Sequence, residues 1–285
     1  MYLKNKKRRV IFVKVTDVEK LQQIATEVRK NIIEEVYNAS SGHPGGSLSA
    51  ADILTVLYFY EMNIEQDNLK EKSRDKFVLS KGHCSPALYG VLAEKGFIEK
   101  ESLKTFRKIN SPLQGHPDMK KVAGVDMSTG SLGQGLSAAN GMAIASKLDG
   151  INNRIYCLLG DGEIEEGQVW EAAMSSSHYK LDNLCVIVDN NNLQIDGKIT
   201  DVMNGQPIDE KFKAFGFEVI KINGNDITEI INAFNKAKEV KGKPTAIVAK
   251  TIKGKGVSFM EDQAGWHGKA PNEEQYNQAM KDLEK

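Results

Sequence analysis

The sequence has few cysteines, no long hydrophobic run and no excess of charge of either sign. Its 285 residues carry 38 basic and 38 acidic side chains, so we expect no general affinity for nucleic acid or for anionic membranes. The three cysteines, Cys84, Cys157 and Cys185, are odd in number and lack metal-ligand spacing, which favours a reducing cytoplasm. Cys157 and Cys185 lie in apolar runs, where we expect buried thiols. No apolar run approaches the length of a membrane span. The composition therefore predicts a globular protein, long enough for one large domain.

The amino terminus is the one strongly basic part of the chain. Five of the first nine residues are Lys or Arg, and a short apolar run follows at 10–13. A signal peptide needs a longer apolar region and a small-residue cleavage site, and neither is present. We expect residues 1–17 to be an extension that contributes little to function, with a nucleic-acid-binding arm as the alternative. The single domain is predicted to span residues 18–285, without repeats or linkers.

Short apolar runs alternate with segments of helical periodicity along this domain. The runs predict buried strands at 155–159, 184–188 and 245–249, and further strands at 77–80 and 218–222. Helical patterns occupy 18–37, 50–60, 86–95 and 227–240, and an Ala/Gly-rich helix runs to residue 148. The glycine- and proline-containing segment 41–47 is predicted to be a loop. This alternation predicts the α/β class, with a doubly wound, mostly parallel sheet and helices on both faces.

Two polar clusters follow neighbouring predicted strands. Gly160-Asp161-Gly162 follows the apolar run at 155–159, and an Asp/Asn cluster at 189–192 follows the run at 184–188. The carboxyl ends of parallel strands lie at one edge of the sheet, where ligands bind in open α/β folds. We therefore expect the two clusters to face a single point.

The residue types at this point favour a magnesium ion that holds a phosphate. Asp161 would provide a carboxylate oxygen, an Asn amide a second oxygen and a backbone carbonyl a third. Gly160 and Gly162 would allow a sharp turn and a close approach of a diphosphate, and the following helix would present free N–H groups. The alternative is a tight turn in which Asp161 caps that helix. The second cluster, at strand–helix–strand spacing, favours the metal–diphosphate site.

At these residues the chain resembles a known family. Gly160-Asp161-Gly162, 27 intervening residues and Asn190-Asn191 look like the thiamine diphosphate motif, and residues 166–173 and 180–184 are similar to transketolases in particular. The resemblance extends from about residue 24 to the carboxyl terminus. It implies the thiamine-diphosphate-binding fold and two cofactors, thiamine diphosphate and Mg²⁺, with Ca²⁺ or Mn²⁺ able to replace the latter.

The resemblance also assigns the ligands of these cofactors. The metal ligands would be Asp161, the side chain of Asn191 and the backbone oxygen of Leu193. Further cofactor contacts would come from the loop and strand-end residues Gly130, Ser131, Leu132, Gly160, Gly162, Ile195 and Lys253. The loop at 130–132 would lie at the aminopyrimidine ring. Ile195 would lie near the thiazolium ring and Lys253 near the diphosphate. For Lys253, a solvated lysine in a Gly-Lys-Gly loop is the alternative.

Four of the five histidines lie beside glycines in predicted loops, which line the ligand edge of such a sheet. Neutral imidazoles there suit proton transfer to and from sugar hydroxyl or carbonyl groups. By resemblance, His43 and His267 would lie near the reactive carbon of the cofactor and the hydroxyls of the donor sugar. His83 would contact the diphosphate, and His116 the C1 hydroxyl of the donor. His178 lies in a helical segment, where we expect it to face solvent or cap the helix.

In transketolases, a second, pyrimidine-binding domain of the opposite subunit carries the glutamate that activates the cofactor and the basic residues that grip the sugar phosphate. The resemblance therefore implies an amino-terminal subunit of a split transketolase, cytoplasmic, inert alone and assembled as α2β2 with a carboxyl-terminal subunit. It would transfer a two-carbon ketol unit between sugar phosphates of the pentose phosphate pathway. The alternatives are a dihydroxyacetone synthase, a transketolase for an unusual sugar, or a non-catalytic regulatory fragment that binds the cofactor.

Overall fold

A five-stranded parallel sheet organises the chain. The computed structural model describes residues 14–284; the basic cluster and apolar run at the amino terminus, and Lys285, lie outside the described residues. The strands are β1 (Lys76–Leu79), β2 (Ile155–Gly160), β3 (Leu184–Asn190), β4 (Glu218–Asn223) and β5 (Thr245–Lys250), in the spatial order β1-β2-β3-β5-β4. All four pairings are parallel. The predicted mostly parallel sheet is confirmed.

Helices cover both faces of the sheet, as a doubly wound fold requires. They are α1 (Val18–Ala39), α2 (Pro44–Ser49), α3 (Ala51–Val56), α4 (Ser85–Glu94), α5 (Gln134–Leu148), α6 (Gly167–His178), α7 (Ile199–Val202), α8 (Ile208–Ala214), α9 (Ile227–Glu239) and α10 (Glu273–Asp282). Successive strand residues point to opposite faces, so Tyr156 and Leu158 pack with α1, α3, α4 and α9. Cys157 and Leu159 pack with α5, α6 and α8 on the other face.

The central strands are buried on both sides, which explains their uninterrupted apolar runs. Every residue of β3 from Leu184 to Val188 is buried. All three cysteines are free and buried, which confirms the burial predicted for Cys157 and Cys185. Within residues 14–284, no helix combines the length and the hydrophobicity that crossing a bilayer would need.

Two segments before β1 differ in detail from the sequence prediction. Part of the predicted loop at 41–47 is helical, because Pro44 begins α2 at a position that needs no N–H donor. The glycines of α2 serve close packing instead: a Cβ on Gly45 would lie 2.8 Å from the Trp266 carbonyl oxygen. The predicted helix at 50–60 does not stay α-helical, since its last turn, Leu57–Glu61, is a π-helix closed by the bond from Met62 N to Leu57 O (2.8 Å).

Candidate cofactor and metal site

The ends of β2 and β3 bring the two polar clusters together. Gly160 lies opposite Asp189 in the parallel register, and the Asp161 N–H donates to the Asp189 carbonyl (3.3 Å). The Asp161 carboxylate then accepts a hydrogen bond from the backbone N–H of Asn192, 31 residues further along the chain. Asp161 and Asn191 are 3% and 8% exposed. The two strand ends therefore meet at one buried point, as their spacing predicts.

The alternative in which Asp161 caps the following helix is wrong. A short 3₁₀ turn, Glu163–Glu165, follows Gly162, and α6 begins only at Gly167, with Glu166 at its N-cap position. The helix that follows the motif is present, but the 3₁₀ turn separates its N-terminus from Gly162. The Asp161 carboxylate instead accepts from Gly162 N (2.9 Å) and from the neighbouring strand end.

Residues 161–162 form a turn directly after β2, as the sequence suggested, but this turn does not depend on glycine. Neither Gly160 nor Gly162 has a positive φ, so a residue with a side chain could adopt either backbone conformation. Space is the relevant property at Gly160, where the nearest atoms to an added Cβ, on Glu163 and Lys81, lie 3.8 Å away. The backbone there is open to close approach by a ligand.

Three kinds of oxygen donor meet at this point. Beside the Asp161 carboxylate, the Asn191 Oδ1 accepts from Leu193 N (3.1 Å), which directs the amide oxygen toward the same turn, and the Leu193 carbonyl accepts from Lys253 Nζ (3.1 Å). Burial and the nearby charge of Asp189 raise the pKa of Asp161 to about 7. A carboxylate, an amide oxygen and a carbonyl oxygen are donors that suit Mg²⁺, and a bound cation would offset the cost of burying the carboxylate. These residues fit the expected metal.

A cavity of about 330 Å³ opens over this point. Its lining contains thirteen of the fourteen residues singled out from the sequence, namely His43, His83, His116, Gly130, Leu132, Gly160, Asp161, Gly162, Asn191, Leu193, Ile195, Lys253 and His267. The exception is Ser131, whose side chain is exposed and does not line the cavity, although its two neighbours do. Lys253 is 1% exposed, so the alternative of a solvated lysine is wrong.

The loop before α5, residues 129–133, reaches the cavity because of its backbone conformation; we call it the glycine loop. Gly130 has φ +151°, which residues with a side chain rarely adopt, and an added Cβ would lie 3.1 Å from the His116 ring. The preceding Thr129 hydroxyl donates to the Leu79 carbonyl (2.7 Å) at the end of β1. This hydrogen bond fixes the loop against the carboxyl edge of the sheet.

Three of the four loop histidines form a compact cluster. The ring centroids of His43, His83 and His267 lie 5.2 to 5.4 Å from one another, while His116 lies at the exposed rim. Burial and the neighbouring His83 lower the pKa of His43 to about 4. Burial and the charges of Lys81 and Lys253 lower the pKa of His83 to about 4 and that of His267 to about 3. These imidazoles are therefore neutral near pH 7, the form that can accept a proton.

A buried ion pair beneath the cavity was not anticipated from the sequence. The Lys81 ammonium donates to Asp189 Oδ2 (2.5 Å) and to the Gly46 carbonyl (3.1 Å), and both charged side chains are almost fully buried. Asp189 also accepts from Ser49 Oγ (2.5 Å) and from the Thr251 hydroxyl. The buried part of the cavity, where Asp161 and Asn191 lie, is its inner end. The network joins β1, β3, α2 and the segment after β5, so it holds together the four segments around this inner end.

Glu163 makes a second unanticipated connection. It belongs to the acidic turn after Gly162, which is typical of a solvent-exposed helix start, yet its carboxylate is buried. It accepts from Ser80 Oγ (2.5 Å), Gly133 N (3.0 Å) and Gly160 N (3.0 Å). The carboxylate thus ties β1, the glycine loop and β2 together. In the sequence, Lys81, Asp189 and Glu163 could have been singled out as charged residues at or just after the end of a buried strand, where a charge needs a partner.

Residues 20–284 match the family described as transketolase, thiamine diphosphate binding domain. The chain belongs to the transketolase family. It is 44% identical to a subunit of the apulose-4-phosphate transketolase of Phocaeicola vulgatus, over 93% of this chain and 94% of that one. It is 45% identical to the 6-deoxy-6-sulfo-D-fructose transketolase subunit of a Clostridium species, over 93% and 96% of the two chains. These relatives place this transketolase-type amino-terminal subunit among the transferases.

A solved transketolase has the same fold. The crystal structure of the Campylobacter jejuni enzyme superposes with a TM-score of 0.89 at 37% identity. The match covers 94% of this chain but 43% of the Campylobacter chain. This transketolase subunit therefore spans less than half the length of that relative, whereas it spans nearly all of the two subunits above.

Proposed function

We propose that this protein is the cofactor-binding subunit of a two-subunit transketolase, which transfers a two-carbon ketol unit from a ketose phosphate to an aldose phosphate. One observation carries the proposal above the others: Asp161, Asn191 and the Leu193 carbonyl meet at the inner end of a cavity lined by four histidines. A metal site alone would not need the histidines, and a cluster of histidines alone would not need the oxygen donors.

The inner end of the cavity would hold the diphosphate. Asp161, the Asn191 amide oxygen and the Leu193 carbonyl would bind Mg²⁺, which neutralises the phosphate oxygens. His83 and Lys253 would donate to the diphosphate, while the backbone at Gly130 and Leu132 would lie against the aminopyrimidine ring. Thiamine diphosphate, when bound, supplies the nucleophilic carbon that takes up the two-carbon unit.

Three histidines of the cavity would bind the hydroxyl groups of the sugar. His43, His116 and His267 line the cavity, and burial lowers the pKa of each. A neutral imidazole has one N–H that can donate to a sugar oxygen and one unprotonated nitrogen that can accept a proton, whereas an imidazolium can only donate. These residues would orient the donor through its hydroxyls, and those whose unprotonated nitrogen faces the cavity would also accept its protons.

The outer end of the cavity would be completed by a partner subunit. Leu132 and Ile195 line the cavity but are 37% and 67% exposed, which leaves apolar surface at its mouth. Two relatives are named as subunits of transketolases, which supports an assembly with a carboxyl-terminal subunit carrying a pyrimidine-binding domain. We propose an α2β2 arrangement in which that domain covers the mouth.

Reconstitution tests this function. The purified chain, a candidate carboxyl-terminal subunit, Mg²⁺ and thiamine diphosphate are assayed separately and together with xylulose 5-phosphate and ribose 5-phosphate. We expect ketol transfer only in the complete mixture. Turnover by this chain alone would refute the two-subunit proposal, and assembly without turnover on any sugar would favour the regulatory fragment.

The choice of donor needs a panel of sugars. Two relatives are named for apulose 4-phosphate and for 6-deoxy-6-sulfo-D-fructose, so both compounds belong beside the common ketose phosphates in the assay. Formaldehyde as acceptor would detect a dihydroxyacetone synthase. The donor with the highest kcat/KM in the complete mixture would identify the substrate class.

A further inference from the structure

Arg107 lies beside the histidine cluster and has no part in the proposed cofactor binding. Its Nη1 donates to Ser41 Oγ (3.0 Å), and its Nη2 lies 3.5 Å from His43 Nδ1. Its backbone N–H donates to the Leu113 carbonyl (2.8 Å), which closes the turn that carries it. The guanidinium is thus held from two sides against the ring of His43.

The chemistry of this contact determines which nitrogen of His43 carries the proton. A guanidinium has N–H donors and no acceptor, and it stays charged at every pH at which the protein is folded. His43 Nδ1 must therefore be the unprotonated nitrogen when it faces Arg107. In the neutral ring the proton then resides on Nε2, which leaves an N–H donor for the cavity that His43 lines.

The surrounding backbone is built to accommodate the guanidinium. Arg107 itself has φ +57°, an uncommon conformation for a residue with a long side chain. Opposite it stands Gly115, where an added Cβ would lie 2.7 Å from Nη2 and 2.8 Å from Cζ of Arg107. Gly115 has no positive φ, so its lack of a side chain is needed for space and not for its own backbone.

The charged groups around His43 lower its pKa. The groups that face it are His83, His116, His267, Lys253 and Arg107, and burial with the nearby positive charges lowers the pKa of His43. Arg107 also contributes, after burial and His83, to the lowered pKa of His116. A cation on the Nδ1 side disfavours the imidazolium and one of the two neutral tautomers.

We propose that Arg107 is a positioning residue that fixes His43 in the Nε2–H tautomer and presents that N–H to the cavity. Its value for catalysis rests on the proposed transketolase function, because only a substrate in the cavity would use the donor. The tautomer itself is a property of this chain and can be measured without the partner subunit.

Nitrogen NMR of the imidazole side chains tests the proposal directly. The full chain is labelled with ¹⁵N, long-range ¹H–¹⁵N correlations are recorded across a pH series, and the His43 signals are assigned by their loss in His43→Gln. The informative variants are Arg107→Met, which removes both charge and donors, Arg107→Lys, which retains the charge, and Gly115→Ala, which displaces the guanidinium without deleting it. Lys108→Met and Gly141→Ala are the matched controls, since Lys108 is exposed and a Cβ at Gly141 meets nothing within 4 Å.

We expect a single Nε2–H tautomer for His43 in the wild-type chain and in both controls. Arg107→Met and Gly115→Ala should give a mixture of tautomers and raise the titration midpoint of His43, with a smaller change in Arg107→Lys. If Arg107→Met does not fold, Gly115→Ala decides. A single unchanged tautomer and midpoint in the folded informative variants would overturn the proposal. Failure of reconstitution would leave this result untouched, so the two proposals fail separately.

Discussion

The two ends of the cavity differ in burial and in how completely their side chains are paired. At the inner end, the charges of Asp189 and Lys81 are shielded from solvent and neutralise each other, and hydrogen bonds from five segments converge on Asp189 and Glu163. At the mouth, Leu132 and Ile195 project apolar surface into solvent. The difference supports the proposal that this chain forms the diphosphate end by itself, whereas the reactive end would need a second surface.

The largest effect is expected from breaking the ion pair beneath the inner end. Lys81→Met should lower the free energy of unfolding by about 3–5 kcal/mol, because Asp189 would remain as an uncompensated buried charge. Lys147→Met is the matched control: Lys147 pairs with Asp182 at the surface, and its loss should cost about 1 kcal/mol or less. Urea denaturation followed by circular dichroism measures both. Equal losses would show that the inner end does not depend on this pair.

The next effect concerns binding and not folding. Asp161→Ala should reduce the Mg²⁺-dependent affinity for thiamine diphosphate by roughly 100-fold or more, since the metal loses its one protein carboxylate. The fold should persist, because removing the carboxylate relieves a buried charge near Asp189. Calorimetric titration gives the affinity, and Asp196→Ala, an exposed carboxylate between β3 and α7, is the control. An unchanged affinity in Asp161→Ala would refute the ligand assignment.

A smaller effect is expected where the inner end joins the glycine loop. Glu163→Gln should destabilise the chain by about 1–3 kcal/mol, since an amide NH₂ would face N–H groups that the carboxylate now accepts from. Glu165→Gln, two residues on, should change stability by less than about 0.5 kcal/mol, since within residues 14–284 the Glu165 carboxylate accepts from Gln194 alone. Thermal unfolding of both variants tests this. Matching midpoints would mean that the loop is held by other contacts.

The smallest effect on this chain alone is expected at the mouth. Leu132→Ala and Ile195→Ala should change its affinity for thiamine diphosphate by no more than about twofold, because both side chains are exposed in this chain. This holds for Ile195 although it is expected near the thiazolium ring, since the diphosphate end would supply most of the binding free energy. The same variants should weaken association with the carboxyl-terminal subunit by about tenfold, if they lie at the centre of the interface. Leu148→Ala, exposed but outside the cavity lining, is the control. A large loss of cofactor affinity without the partner would remove the distinction between the two ends.

The sheet and the meeting of its strand ends could be predicted from sequence because both depend on short-range patterns. Buried parallel strands need continuous apolar runs, and Leu184–Val188 is one. Parallel pairing then brings the carboxyl ends together, so Gly160 and Asp189 lie side by side. The ligand set itself came from the family resemblance, since spacing alone did not distinguish among the asparagines.

The roles of the buried charged residues Lys81, Asp189 and Glu163 could not be predicted, because each lies far in sequence from a partner that it contacts. Lys81 and Asp189 are separated by 108 positions, and nothing local to either shows that the other neutralises it. Glu163 has the local context of an exposed helix start. Likewise, the contact of Arg107 with His43 and the need for glycine at Gly115 are apparent only in the folded chain, where the turn between them places the guanidinium beside His43.

The account depends most directly on where a cation binds. A crystal of this chain with thiamine diphosphate and Mn²⁺ in place of Mg²⁺ allows the ion to be located by anomalous scattering. We predict one strong peak within about 2.0–2.3 Å of oxygens of Asp161, Asn191 and Leu193, between them and the diphosphate. A peak elsewhere, or a bound cofactor with no cation between the ends of β2 and β3, would contradict the account.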